Sequence, residues 1–275
     1  MTAPNTISIA GNIGSGKSSV ARRVSEITGW PMVSTGALFR ELAARRGLTV
    51  LELNQRAETD RSIDDEVDGH LRRLSESRAS AVIDSRMAWH FVPASFKVYL
   101  IVDPHVAVAR VYGAVREDER YETVDEAAQD VLARQLVEAE RYLDLYGVHN
   151  HDWRNYDLVV DTSRVGVAEV ADLVVSHLDT VPAERPVCHL DPERLIPSHP
   201  ERTAGSIRVA VDDGAFVVIT GHHQVRTALA RGAPLVPCEL VAFGAGEIAE
   251  LPEVALVMSA MEQRPGWKPP DEAGD

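Results

Sequence analysis

Residues 11–18, Gly11-Asn12-Ile13-Gly14-Ser15-Gly16-Lys17-Ser18, fill every fixed position of the pattern G-x-x-x-x-G-K-[ST]. An apolar, β-type run over 7–10 leads into the motif and helical periodicity over 18–27 leads out of it. Strand, loop and helix are the context the pattern requires. Each position has a physical task. Glycines let backbone N–H groups turn inward around phosphate oxygens, and the helix N-terminus adds the positive end of its dipole. Lys17 is placed to neutralise β- and γ-phosphate oxygens, and Ser18 to ligate Mg²⁺. Gly11, Asn12, Ile13, Gly14, Ser15, Gly16, Lys17, Ser18 and Ser19 are therefore the expected ATP site. The plain alternative, a glycine-rich turn with no ligand, does not call for the lysine and serine at these positions.

Apolar runs recur at 32–34, 81–84, 96–102 and 158–160, separated by helical stretches at 37–45, 106–115, 127–145 and 166–178. This alternation predicts an α/β fold with a parallel sheet covered by helices on both faces. Sites in such sheets lie beyond the carboxyl ends of the strands. Arg40 and Arg86 follow the second and third runs, and Arg110, Arg116, Arg134 and Arg141 lie in the later helical region. Planar guanidinium groups suit phosphate recognition, and several of them offset the repulsion when two phosphorylated reactants meet. Asp84 ends the third run, where a carboxylate can hold Mg²⁺ through water or serve structurally.

The 275 residues carry 28 basic and 42 acidic groups, a net charge of −14. Residues 1–180 hold 20 and 28 of these, and residues 181–275 hold 8 and 14, so both parts are acidic. That balance speaks against nucleic acid as a partner, which needs a basic footprint. No apolar run approaches the roughly 20 residues of a membrane span, and no secretory pattern precedes the loop motif. A cytoplasmic protein with no membrane partner is expected, with Cys188 and Cys238 as reduced packing residues.

Residues 5–178 resemble the cytidylate kinase family, in particular its short archaeal-type branch. The loop motif carries the likeness, with the run from Ser34-Thr35-Gly36 through Phe39-Arg40-Glu41-Leu42-Ala43 and Ile63-Asp64-Asp65-Glu66-Val67-Asp68. Asp84-Ser85-Arg86, Arg134…Glu138…Arg141-Tyr142, Tyr146-Gly147 and 156–162 continue it in order. The resemblance implies a P-loop nucleoside monophosphate kinase with a substrate-binding insertion after the second strand and an arginine-bearing lid. It implies that Ser34, Arg40 and Arg86 hold the acceptor phosphate, and that Arg134 and Arg141 reach the transferring phosphoryl group. Glu138 would meet the acceptor nucleoside, with Asp64 and Asp68 in the insertion. A solvated helix face shared with Arg72 is the plain alternative for those two aspartates. Lys17, Arg134, Arg141 and Asp84 are the catalytic set so implied, with Ser18 and Asp84 holding the metal. The chain departs from the family at Ala37, Ser85 and Gln135, all on the acceptor side.

Beyond a linker expected over 180–185 the character changes. Strand-like runs at 208–211, 216–220 and 235–243, a hairpin turn at Asp212-Asp213-Gly214 and a helix over 222–231 suggest a small α+β unit spanning 186–250. Residues 189–241 resemble the ParB-like fold through Val217-Val218-Ile219-Thr220-Gly221-His222-His223-Gln224. In those relatives an arginine stands where this chain has Gln224. Residues 265–275, rich in proline and acids, are expected to be disordered.

The reading is thus a P-loop kinase domain at 1–180 followed by a small α+β, ParB-like domain. It would transfer the ATP γ-phosphoryl group to a CMP- or dCMP-like nucleoside monophosphate. Two alternatives stay open: a kinase acting on a hydroxyl of a small metabolite, with Asp84 as base, and a nucleotide-sensing module. The partners expected are ATP with Mg²⁺ and a small phosphorylated or hydroxylated acceptor, and a homo-oligomer is left open.

Overall fold

The computed structural model describes residues 4–57, 60–77, 79–114, 121–179, 184–198 and 205–262. The expected disordered tail, Arg116 and most of the expected linker lie outside them. In chain order the first elements are β1 (Thr6–Gly11), α1 (Lys17–Thr28), β2 (Met32–Ser34), α2 (Thr35–Arg45), α3 (Val50–Ala57) and α4 (Ser62–Ser77). They continue with β3 (Ala81–Asp84), α5 (Ala88–Phe91), β4 (Phe96–Ile101), α6 (Pro104–Gly113), α7 (Val124–Tyr146), β5 (Leu158–Asp161) and α8 (Val167–Ser176). The remainder are β6 (Val187–Leu190), β7 (Leu195–Pro197), β8 (Ile207–Asp212), β9 (Ala215–Thr220), α9 (His222–Ala230), β10 (Val236–Phe243), α10 (Gly244–Ala249) and α11 (Val254–Glu262).

Contacts divide the chain into two compact units. The first comprises Met1–His151 and Gly166–Val181, the second Asp152–Val165 and Pro182–Asp275. In the first, four strands run parallel in the order β2-β3-β1-β4. All six residues of β1 and all four of β3 are buried, so both faces of the sheet are covered. Near-continuous apolar strands take that position because water reaches neither side. Helices α1 and α8 pack on one another, and α1 also lies against β1, β2 and β3.

Two satellite clusters matter for the site. The segment between β2 and β3 forms its own small core, with Leu42, Ala43, Leu53, Ala57 and Ile63 buried and Phe39 and Leu48 packed against them. Val111 of α6 and Val131 of α7 close on Ile13 of the phosphate loop. The insertion thus has a core of its own, and the α6–α7 pair packs against the phosphate loop.

In the second unit β6 pairs in parallel with β5 and antiparallel with β10, which runs parallel to β8. Strand β9 pairs antiparallel with β8 and parallel with β7. The expected hairpin turn is present: Asp213 (φ 43°) and Gly214 (φ 70°) both have left-handed backbone between the paired Asp212 and Ala215. Two successive positive φ values suit a two-residue connection between twisted strands, and glycine adopts them freely. Trp153 is buried and its ring lies against Phe216 and Phe243. The unit does not stop at residue 250 as expected from sequence. Helix α11 lies beyond it and contributes Val257, Ala260 and Met261 to the same core as Val217, Ile219 and Ala242.

Candidate active site

The phosphate loop is held from below by the neighbouring strand. Asn12 N donates to Leu100 O at 3.0 Å, and Ser15 N to Asn12 O at 3.2 Å. Gly14 has φ +79°, and a Cβ there would lie 2.7 Å from Ala107 Cα, so the close approach of α6 requires glycine. Arg110 of the same helix donates from Nη1 to Gly14 O at 3.2 Å. The amides of Gly14, Gly16, Lys17 and Ser18 have no backbone acceptor among the described residues. Four such donors at the start of a twelve-residue helix form a concave cradle for anionic oxygens.

Lys17 reaches back over the loop to form an ion pair with Asp84, whose side chain is almost fully buried at the end of β3. Burial pulls the Lys17 ammonium below its ordinary range, with Arg86 adding to the effect and Asp84 opposing it. Ser34 caps α2, accepting from Ala37 N at 3.4 Å, and its Oγ donates to Asp84 Oδ2 at 3.2 Å. Lys17 at the start of α1 and Ser34 at the end of β2 thus meet at the carboxylate that ends β3. The departure at Ser85 has a local explanation. Its buried hydroxyl accepts from Met87 N at 3.3 Å and stabilises the turn into α5.

A second layer consists of ion pairs between distant segments. Arg86 Nε lies 2.7 Å from Glu138 Oε2, and Arg141 Nη2 lies 2.6 Å from both oxygens of Asp64. Tyr146 donates to Asp68 Oδ2 at 2.8 Å. Asp68 is 6% exposed, and burial pushes its carboxyl up to about 6 against the hydrogen bond from Tyr146 and the charge of Arg72. The solvated face considered for the two aspartates is therefore not what forms. Asp64 is spanned by an arginine, Asp68 is buried, and Arg72 lies 4.9 Å over the Phe91 ring instead.

The remaining candidates fall elsewhere. Arg134 lies 3.5 Å from Asp130, one helical turn back, and Asp130 also accepts from Tyr121 at 2.6 Å. Arg40 is exposed and forms no ion pair among the described residues. Ser18 and Ser19 are exposed at the mouth of the loop. Sequence reasoning missed Tyr99, Tyr142, Tyr146 and His151, which surround the ion pairs. The rings of Tyr142 and Tyr146 stack with centroids 6.2 Å apart, and burial pushes the Tyr142 phenol up to about 12. Their spacing of four residues on a helix beside Arg141 was the available signal.

The donor set is compatible with a hard cation. Ser18 offers a hydroxyl and Asp84 a carboxylate, while no group of three His, Cys, Asp or Glu side chains gathers among the described residues. A hydroxyl and a carboxylate suit Mg²⁺, which keeps waters and phosphate oxygens around it and takes few protein ligands.

A phosphate cradle at the carboxyl end of an inner strand of a parallel sheet, with an insertion after the second strand and an arginine-bearing helix, defines a P-loop kinase. The chain belongs to the cytidylate kinase-like family, whose profile matches residues 6–164. The cytidylate kinase of Thermoplasma volcanium is 37% identical over 177 residues, covering 63% of this chain and 90% of that protein. The cytidylate kinase of Methanothermobacter thermautotrophicus is 38% identical over 158 residues, covering 58% and 95%. Among solved structures, an uncharacterized protein from Eubacterium ventriosum superposes with a TM-score of 0.50 at 19% identity, over 64% of this chain and 99% of that one. That last likeness shows the fold alone.

Proposed function

We propose that this protein transfers the γ-phosphoryl group of ATP to cytidine monophosphate or its deoxy form. One observation carries the acceptor side of the reading. Two half-buried guanidinium groups, Arg86 beside the Lys17–Asp84 pair and Arg141 on α7, each sit against a carboxylate from another element. An entering monophosphate competes for the same guanidinium donors, and its charge compensates for the carboxylate it displaces.

In this reading Lys17 and the free loop amides hold the triphosphate. Ser18 and Asp84 would hold the Mg²⁺ ion, which would neutralise charge developing on the phosphate groups. Ser34, Arg40 and Arg86 receive the acceptor phosphate, whose oxygen is nucleophilic enough to need no strong base. Arg141 and Arg134 approach from α7 to neutralise the charge that develops on the transferred group. Asp64 and Asp68 face the acceptor base, and a carboxylate accepts from the exocyclic amine that distinguishes cytosine from uracil. The alternative in which Asp84 acts as base toward a metabolite hydroxyl is less well supported, because Lys17 and Ser34 already engage that carboxylate.

The test is ADP release with ATP and Mg²⁺ across ribo- and deoxyribonucleoside monophosphates, with Lys17→Ala as the blank. Turnover on CMP or dCMP that vanishes in the blank is expected. Silence across the panel by a protein that still binds ATP would overturn the assignment.

A further inference from the structure

Tyr99 lies on β4 directly opposite Ala10 of β1, at the base of the phosphate loop, and is 2% exposed. Its phenol oxygen joins two side chains that are far apart in sequence. Asn12 Nδ2, inside the loop motif, donates to it at 3.4 Å. On the other side, the phenol oxygen stands 2.5 Å from His151 Nδ1, with the two rings edge to face. Burial keeps the phenol protonated. Burial also lowers the His151 imidazole from its ordinary range, and the charges of Arg86 and His149 act in the same direction. The titratable and charged groups around the pair are Arg86 after β3, Glu138 on α7 and His149, two residues before His151.

With a neutral imidazole protonated at Nε2, His151 Nδ1 accepts the phenol proton, which leaves the phenol oxygen lone pairs for the Asn12 amide. We infer that Tyr99 and His151 are positioning residues for the ATP loop: the His151–Tyr99–Asn12 chain fixes the Asn12 side chain and, through it, the loop amides that receive the triphosphate. None of the cytidylate-type residues named above includes this pair. The inference rests on the reading of the loop as an ATP site but not on the identity of the acceptor.

The experiment is direct titration of each full-length variant with Mg²⁺-ATP and no acceptor, beside its melting temperature. Tyr99→Phe keeps the ring and removes the link, and should raise the Kd for ATP about three- to tenfold, as loss of one hydrogen bond does. His151→Ala should match it. His151→Asn, whose Oδ1 can replace the Nδ1 acceptor, should stay within about twofold of wild type. The pair Tyr99→Phe/His151→Ala should lose no more than either alone, because both break one chain.

A pH series gives a readout that mere packing would not. Wild-type ATP affinity should weaken on the acid side as His151 gains a proton and becomes a donor. His151→Asn should lack that limb. Unchanged affinity in both Tyr99→Phe and His151→Ala overturns the inference, as do additive losses in the double variant. If Tyr99→Phe does not fold, the His151 variants decide alone. A wild-type protein that binds no ATP refutes the functional reading instead.

Discussion

Arg86, immediately after β3, and Glu138, in the middle of α7, form an ion pair with Nε and Oε2 2.7 Å apart. Each side chain is about a quarter exposed, at 27% and 25%. The charge of Arg86 also reaches Lys17, Tyr99, Tyr142 and His151, so this guanidinium sits at the electrostatic centre of the site. Arg86→Lys keeps the charge and loses the planar fork. The acceptor KM should rise at least about tenfold, the value of a charge-assisted hydrogen bond, while the Kd for ATP stays unchanged. Steady-state kinetics with each substrate varied checks the split, and an unchanged acceptor KM would remove Arg86 from the acceptor site.

Lys17 and Asp84 should show opposite behaviour in activity and stability. Lys17→Met abolishes the phosphate contact and also leaves a buried carboxylate without its cation. A loss of about 3 kcal/mol follows from breaking such a pair, or about 6–12 °C in melting temperature for a chain of this size. Adding Asp84→Asn removes the stranded charge, so Lys17→Met/Asp84→Asn should recover most of that stability with no recovery of turnover. Calorimetry of wild type and the two variants beside an ADP-release assay decides it. A double variant as unstable as Lys17→Met would contradict the pairing.

Asp68 makes stability depend on pH in an unusual sense for a carboxylate. Burial raises its folded value to about 6 from an ordinary carboxyl value of 3.8. The folded state therefore binds more protons than the unfolded state between those values, and stability falls as pH rises through the window. Its contribution is full below the unfolded value and is lost above about 6. Asp68→Asn cannot ionise but can still accept from Tyr146. Urea unfolding at pH 4.5 and 7.5 should show a smaller fall for the variant than for wild type, by about 1–3 kcal/mol. Equal falls would place the raised carboxyl elsewhere. Acceptor KM should rise in the same variant if Asp68 faces the base.

How much of this was legible in the sequence depended on distance along the chain. The loop motif, its flanking strand and helix, and the arginines after successive strands are local patterns, and the structure places them as such. The Asp213-Gly214 turn was equally plain, because positive φ is written into residue type. By contrast, the partners of Arg86 and Arg141 lie 52 and 77 residues away, and no local spacing announces them. The resemblance implies a nucleoside contact for Glu138, while the guanidinium it meets, 52 residues away, is invisible to local spacing. Helix α11 was passed over for a related reason. Its run Val254-Ala255-Leu256-Val257-Met258 is apolar nearly all round, so it lacks the amphipathic contrast from which surface helices are read.

Residues 152–165 give the last prediction, because they form a compact unit with the chain beyond 181. Asp161 is wholly buried at the end of β5, and Arg194 Nη1 lies 2.6 Å from its Oδ2. Strand β5 pairs with β6 from Leu158↔Val187 to Val160↔His189. Trp153 is covered by Phe216 and Phe243, and Arg154 reaches Glu247 at 2.7 Å. A chain ending after residue 181 keeps the family match at 6–164 intact, yet loses every one of these partners. It would expose a bare strand edge, an aromatic ring and a carboxylate that had been neutralised by arginine. The truncated chain should therefore melt lower than the full chain and associate through the freed edge, despite retaining the phosphate loop and every acceptor residue. Gel filtration and calorimetry of the truncated chain test this directly. If it remains monomeric and melts at the temperature of the full chain, residues 152–165 do not depend on the chain beyond 181 for their fold. If it associates but recovers as a monomer when Trp153→Ser and Asp161→Asn are introduced, the exposed ring and charge are the cause.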